Sequence, residues 1–63
     1  MSAKMFIRFK TDDINNLSLS EVKDVSVDTS LDIIKVKFEK EFLHVDLRDV
    51  SSFHCTGITP FYK

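Results

Sequence analysis

The segment that most limits the fold is DIIKVKFEKEFLHVDLRD, residues 32–49, where apolar and polar side chains alternate on both sides of a short polar break. A period of two places successive side chains on opposite faces of a β-strand. The apolar residues of the two runs are Ile34, Val36 and Phe38, then Leu43, Val45 and Leu47. Two strands with one apolar face each are therefore predicted, joined by a loop at residues 39–42.

In one antiparallel register of these two strands, every apolar residue lies opposite another apolar residue. The hairpin that precedes them, between Val25 and Ile34, can pair in the same way. Opposite charges that face each other across the strands add a small stabilisation. The predicted pairs are Val36–Val45, Lys35–Asp46 and Lys37–His44, with Val25–Ile34 in the preceding hairpin. Residues 22–47 are thus predicted to form a three-stranded antiparallel meander with one apolar face.

A further strand is predicted near the N-terminus, at MFIRFK, residues 5–10. Met5, Ile7 and Phe9 share one phase of its alternation, so they are expected to face the core. The segment that follows, TDDINN, is rich in residues that favour turns and ends the strand.

Residues 17–24, LSLSEVKD, fit two different structures. Ser18 followed by Glu21 has the form of a helix capping box, and the spacing between Leu19 and Val22 suits one face of a short helix. From Val22 onward the valines alternate with polar residues as in a strand. The sequence leaves the choice between helix and strand open here.

The C-terminal region holds several signals for turns. Asp49 is placed to cap a short helical turn that brings Val50 and Phe53 onto the core. Gly57 permits a sharp reversal of the chain. Pro60 restricts the last residues to an edge strand or a tail.

These elements predict a mostly β protein, or an α+β protein with one or two short helical turns. Residues 1–63 are expected to form a single domain, since domains usually have more than about 50 residues. The meander needs a cover for its apolar face. The expected architecture is therefore either a small single-layer antiparallel sheet covered by short segments or a half-closed barrel. The seven aromatic residues are expected to supply bulky side chains for the core.

Composition excludes several classes of protein. With 43% hydrophobic residues, one Gly and one Pro, the chain is too apolar to be disordered. No apolar run is long enough to span a membrane or to serve as a signal peptide, so we expect no membrane association. One cysteine excludes an internal disulfide and is typical of the cytoplasm. Because a core from so few residues stabilises weakly, self-association is expected.

Residues with catalytic or metal-binding chemistry are few. Zinc sites use closely spaced Cys and His ligands, whereas this chain offers only Cys55, His54 and His44. Cys55 and His54 are adjacent, so in a strand their side chains point to opposite faces. With a single glycine there is no phosphate-binding loop. We expect no metal, no cofactor, no small-molecule substrate and no catalysis.

The function that these features favour is a small protein-binding or regulatory module that acts as a homodimer. Aromatic residues are enriched at the centres of protein interfaces. The residues predicted to contact a protein partner or a second copy are Phe6, Ile58, Phe61 and Tyr62. The alternative for Phe61 and Tyr62 is that both rings close the core of their own chain.

A second hypothesis is the binding of single-stranded nucleic acid. If the first strand joins the meander, cations and rings share its outward face, as in proteins that stack bases on a sheet. The predicted residues are Phe6, Arg8, Lys10, Lys35, Lys37, His44 and Arg48. A net charge of −1 weighs against it, because nucleic-acid-binding domains are usually basic.

Overall fold

The computed structural model describes residues 3–63, which form seven β-strands and one 3-10 turn. The prediction of a mostly β protein is confirmed. The strands are β1 (Ala3–Phe9), β2 (Leu17–Val22), β3 (Asp24–Asp28), β4 (Ile33–Lys37), β5 (Phe42–Asp46), β6 (Val50–Thr56) and β7 (Phe61–Tyr62), and the 3-10 turn is Leu47–Asp49.

The meander is confirmed as part of a four-stranded sheet with the order β5-β4-β3-β7. β3, β4 and β5 pair antiparallel, and β7 adds to β3 in the parallel direction. The amide of Lys63 extends this contact by donating to the carbonyl of Val27 at 2.9 Å. Of the two structures predicted for the residues after Pro60, an edge strand or a tail, the edge strand is observed.

The cover of the meander differs from the expected one, because it is a second sheet and not a set of short segments. Strand β1 pairs antiparallel with β2 on one side and with β6 on the other, giving the order β2-β1-β6. Each of these strands alternates in burial, so each has an apolar face to contribute. Within residues 3–63 the two sheets do not join into a closed barrel.

One hydrophobic core lies between the sheets and takes side chains from six strands of the described chain. Aliphatic residues and a methionine fill it, whereas the phenylalanines and Tyr62 lie at its edges or on the surface. The expectation of an aromatic core was therefore wrong. The buried residues are Ala3, Met5, Ile7, Val22, Val25, Val27, Ile34, Val36, Val45 and Val50.

Apolar residues three positions apart, which suggested short helices, are explained by two β-bulges. In β2 the register shifts between Leu19 and Val22, and Glu21 has φ 56° in the left-handed region. The extra residue lets side chains three positions apart enter the same core. Residues 17–24 are therefore mainly strand, and the capping-box interpretation of Ser18 and Glu21 was wrong.

The second bulge lies in β6, where Arg8 pairs with Ser52 but Phe9 pairs with Val50. Val50 and Phe53 consequently approach the core from a strand and not from a helical turn. The 3-10 turn begins earlier than predicted and is capped by Asp46, whose carboxylate accepts from the Arg48 amide. The predicted cap at Asp49 was wrong.

Both hairpins are shifted by two residues from the predicted register. A shift of two returns every side chain to its own face, so the apolar faces are as predicted while the cross-strand partners are not. The predicted pair of Lys35 with Asp46 is absent, because Lys35 faces His44. The observed pairs include Val36–Leu43, Lys37–Phe42, Val25–Val36 and Val27–Ile34.

Turn chemistry fixes these registers. The Asp28 carboxylate accepts from the amides of Ser30 and Leu31 at 3.0 and 3.2 Å, and Asp32 adopts φ 54°. In the next hairpin the amide of Phe38 donates to the carbonyl of Glu41 at 2.8 Å. Four residues therefore separate the strands in each hairpin, and these local bonds decide between registers that hydrophobic alternation leaves equivalent.

Gly57 makes the predicted reversal, on the way from β6 of one sheet to β7 of the other. Its φ of 82° lies in the left-handed region, which side-chain-bearing residues rarely adopt. A Cβ placed there would contact the Cα of Ala3 at 3.5 Å, an ordinary van der Waals distance. The backbone angle, and not lack of space, makes this position favour glycine.

Candidate functional site: two outward sheet faces

Each sheet turns one face to the shared core and the other away from it, so the molecule has two outward faces on opposite sides. The three-stranded face is formed by Lys4, Phe6, Arg8, Ser18, Ser20, Ser52, His54 and Thr56. The four-stranded face is formed by Asp24, Ser26, Asp28, Ile33, Lys35, Lys37, Phe42, His44, Asp46 and Phe61.

Phe6 is the centre of the three-stranded face. It lies on the middle strand, with Ser18 opposite on β2 and His54 opposite on β6. Directly opposed residues have Cβ atoms about 5 Å apart, so Phe6 and His54 are cross-strand neighbours. Lys4 and Arg8 flank Phe6 along β1, each about 6–7 Å away by the rise of a strand.

Charge on the three-stranded face is mainly positive. Lys4 and Arg8 belong to it, and its remaining positions are hydroxyl-bearing residues or rings. Glu21 lies at the β2 bulge near one end. Beyond Arg8, an open groove of about 380 Å³ is lined by Phe9 and by the β1–β2 loop, including Asp12 and Asn16.

The four-stranded face mixes acids, cations and rings. One row across it reads Phe61, Ser26, Lys35 and His44, from β7 to β5. The next row reads Asp24, Lys37 and Phe42, with the Lys37 ammonium nitrogen 6.0 Å from the centre of the Phe42 ring. Phe42 and Phe61 are exposed by 63% and 61%.

Two aspartates at the ends of this face are held by hydrogen bonds. The Arg48 guanidinium, 2.9 Å from Asp46, lowers the pKa of that carboxyl below its usual 3.8, and the Arg48 amide acts in the same direction. The Ser30 hydroxyl, 2.7 Å from Asp28, lowers the pKa of Asp28, and the turn amides add to this effect. Both carboxylates are therefore kept ionised by local donors.

The residues predicted to bind nucleic acid do not share one surface. Phe6 and Arg8 lie on the three-stranded face, and Lys10 follows β1 with its amide bonded to the carbonyl of Asp49. Lys35, Lys37 and His44 lie on the opposite side of the core, and the Arg48 guanidinium is paired with Asp46. The condition for the common surface, that the first strand joins the meander, is not met. This set of seven residues was therefore wrong as one site.

The residues predicted to contact a partner are also divided. Phe6 is on the three-stranded face, whereas Phe61 is at the edge of the four-stranded face and Tyr62 falls on the other side of β7. Ile58 is half-buried and packs against the core. Phe61 and Tyr62 are exposed by 61% and 60%, so neither ring fills the core of its own chain.

Three surface residues were missed by the sequence reasoning. Lys4 lies on the same phase as Phe6 and Arg8, so extending the predicted strand by one residue would have found it. Phe42 was assigned to a loop because of the hairpin register. His54 becomes a neighbour of Phe6 only through the pairing of β1 with β6, which no local pattern reveals.

Cys55 and His54 point to opposite faces of β6, as adjacent strand residues must. Cys55 is half-buried against the core, and burial raises the pKa of its thiol, which makes it a weaker nucleophile at neutral pH. Among residues 3–63, no three His, Cys, Asp or Glu side chains are grouped closely enough to hold a metal ion. The same residues include no helix with the length and apolar character needed to cross a membrane.

Comparison of the chain with models of protein families, with curated proteins and with solved structures found no match.

Proposed function

We propose that this protein is a non-catalytic binding module that acts as a homodimer and associates through the four-stranded face. The observation that carries this proposal is the distribution of exposed apolar side chains. Four large hydrophobic residues that are 60–64% exposed belong to this sheet or to its turns, namely Leu31, Phe42, Phe61 and Tyr62. We also propose the cytoplasm as its compartment, where a free cysteine such as Cys55 remains a thiol.

Covering the exposed rings supplies the driving force. Phe42 and Phe61 each leave roughly 100 Å² in water, since an aromatic side chain buries about 150–250 Å² when fully enclosed. Removing that area from water stabilises a complex by about 2–3 kcal/mol per ring. Aromatic residues, phenylalanine among them, are enriched at the centres of protein interfaces.

The charge pattern favours a second copy as the occupant. Asp24 and Lys37 stand opposite each other on neighbouring strands, and Lys35 lies in the adjacent row. A face that bears both signs can offset each charge with its opposite when it meets a copy of itself in a symmetric dimer. A face of a single sign would repel its copy.

The size of the face sets the strength of the dimer. The face has three strands of five residues and one of two, so it spans at most roughly 19 by 17 Å. Its area of about 300 Å² is well below the approximately 800 Å² per partner of a standard interface. A weak dimer that dissociates on dilution through the micromolar range is therefore expected.

Sedimentation velocity across a concentration series tests the proposal. The average mass should rise from 7.3 kDa towards twice that value as concentration increases. Phe42→Ser combined with Phe61→Ser should hold the mass at the monomer value, and the folded monomer should survive because both rings are exposed. Phe6→Ser is the matched control, since it removes a ring from the opposite side.

A monomer mass at every concentration would refute the homodimer. Loss of the dimer in Phe6→Ser, with the dimer retained in the double variant, would move the interface to the other sheet. A melting temperature that is independent of concentration would also count against self-association.

A further inference from the structure

The three-stranded face presents a ring platform between two cations. Phe6 is 41% exposed, with His54 beside it and with Lys4 and Arg8 at the neighbouring outward positions of β1. Hydroxyl groups of Ser18 and Ser52 stand on the strands at either side. The solvated cations and serines keep this side of the sheet in water, but they do not explain an exposed phenylalanine at its centre.

From this juxtaposition we infer that the three-stranded face binds single-stranded nucleic acid, with bases stacked on Phe6 and His54. Every base has a flat apolar surface, so stacking on a ring works without sequence readout. Lys4 and Arg8 neutralise phosphates on either side of the stacked bases, and serine hydroxyls donate to phosphate oxygens. This inference goes beyond the proposed dimer, because it uses the opposite side of the molecule.

Double-stranded nucleic acid does not suit this face. Its bases are stacked on each other and paired, so their surfaces are closed to a ring that stands on a flat sheet. The net charge of −1 also argues that affinity comes from this one local patch and not from the field of the whole molecule.

The groove beyond Arg8 continues the path of the strand. It is open, and Phe9 and the loop amide residue Asn16 line it next to Arg8. Asp12 lines the same groove and opposes a phosphate there, so Asp12→Asn is expected to strengthen binding about two- to fourfold.

Fluorescence anisotropy with a labelled oligothymidylate at low salt tests the inference. Two neutralised phosphates predict a slope of about −1.4 in log affinity against log salt, and hence a roughly sevenfold loss between about 50 and 200 mM salt. Arg8→Gln should halve that slope. Phe6→Ala should weaken binding at least about fivefold, whereas Phe6→Tyr should retain it.

Two controls separate stacking from general charge attraction. Lys35→Ala combined with Lys37→Ala removes two cations from the opposite face and should change the affinity less than about twofold. Phe6→Leu keeps an apolar side chain without the ring and should bind as poorly as Phe6→Ala.

Several results would overturn the inference. These are no binding at low salt, equal affinity for a duplex of the same length, and equal affinity for polyphosphate, which has no bases. Loss of binding in the Lys35 and Lys37 variant with full binding in Phe6→Ala would assign the site to the other face. Circular dichroism of each variant verifies that the sheets remain folded.

Discussion

On the three-stranded face, Lys4 and Arg8 stand among hydroxyl groups around Phe6 and His54, whereas the four-stranded face combines aspartates and lysines with Phe42 and Phe61. The inner faces of the two sheets are alike, since both are lined mainly by aliphatic residues. Burial therefore determines the inner faces and leaves the outer ones free to differ. From this difference we propose self-association for the face with both signs and binding of single-stranded nucleic acid for the cationic one.

The largest effect on stability is expected when side chains of the shared core are truncated. Ile7 in β1 and Ile34 in β4 are both fully buried, so Ile7→Ala and Ile34→Ala should each destabilise the fold by about 2–5 kcal/mol. Because one core joins the sheets, all strands should lose protection from hydrogen exchange together. Leu31→Ala, at a side chain 64% exposed, should change stability by less than about 0.5 kcal/mol.

If Ile34→Ala released only the four-stranded sheet while β1, β2 and β6 stayed protected, the two sheets would be independent units. The two outward faces would then belong to separately folding units and not to one domain.

A smaller loss of stability is expected from substitutions at Gly57, where the chain passes from one sheet to the other. Gly57 has φ 82°, so Gly57→Ala should cost about 1–2 kcal/mol of unfolding free energy by chemical denaturation. Gly57→Asn should cost less, because asparagine tolerates the left-handed region better than alanine. Equal stability of the alanine variant and the parent chain would contradict the geometry of this reversal.

Acid should destabilise the whole fold through the loss of the Asp28 hydrogen bonds in the β3–β4 turn. The pKa of Asp28 is lowered in the folded state by the Ser30 hydroxyl, so its contribution is present above the unfolded value near 3.8 and is lost as pH falls through the folded value. Melting temperatures measured from pH 5 downward should fall less steeply in Asp28→Asn. Asp13→Asn in the β1–β2 loop removes the same charge away from this turn and should keep the parental slope.

The smallest change in stability is expected from charge reversal on the outward faces. Arg8→Glu and Lys35→Glu should each alter the unfolding free energy by less than about 0.5 kcal/mol, since surface substitutions rarely exceed that. Their effects on binding should nevertheless separate. Arg8→Glu should abolish oligonucleotide binding and keep the dimer, and Lys35→Glu should weaken the dimer and keep oligonucleotide binding.

The alternation at residues 32–49 was sufficient to predict the meander and its apolar face, because a period of two is a local property of a strand. The register was not predictable from alternation, since shifts of two residues preserve both faces. The bonds of Asp28 and the φ of Asp32 decide it, and these belong to turns.

The bulges in β2 and β6 misled the sequence reasoning for a physical reason. An extra residue in a strand gives apolar spacings of three, which is also the spacing of a helix. The candidate sites depended on long-range pairing as well. Phe6 and His54 pair across β1 and β6, far apart in the sequence, and no periodicity predicts that pairing.

Amide chemical-shift mapping on isotope-labelled protein tests the separation of the two faces most directly, with a dilution series and an oligothymidylate titration on the same sample. Dilution should move amides of β4, β5 and β7, whereas oligothymidylate should move amides around Lys4, Phe6, Arg8 and His54. If both treatments moved the same strands, or if oligothymidylate moved the amides around Lys35 and Lys37, the assignment of two functions to two faces would be contradicted.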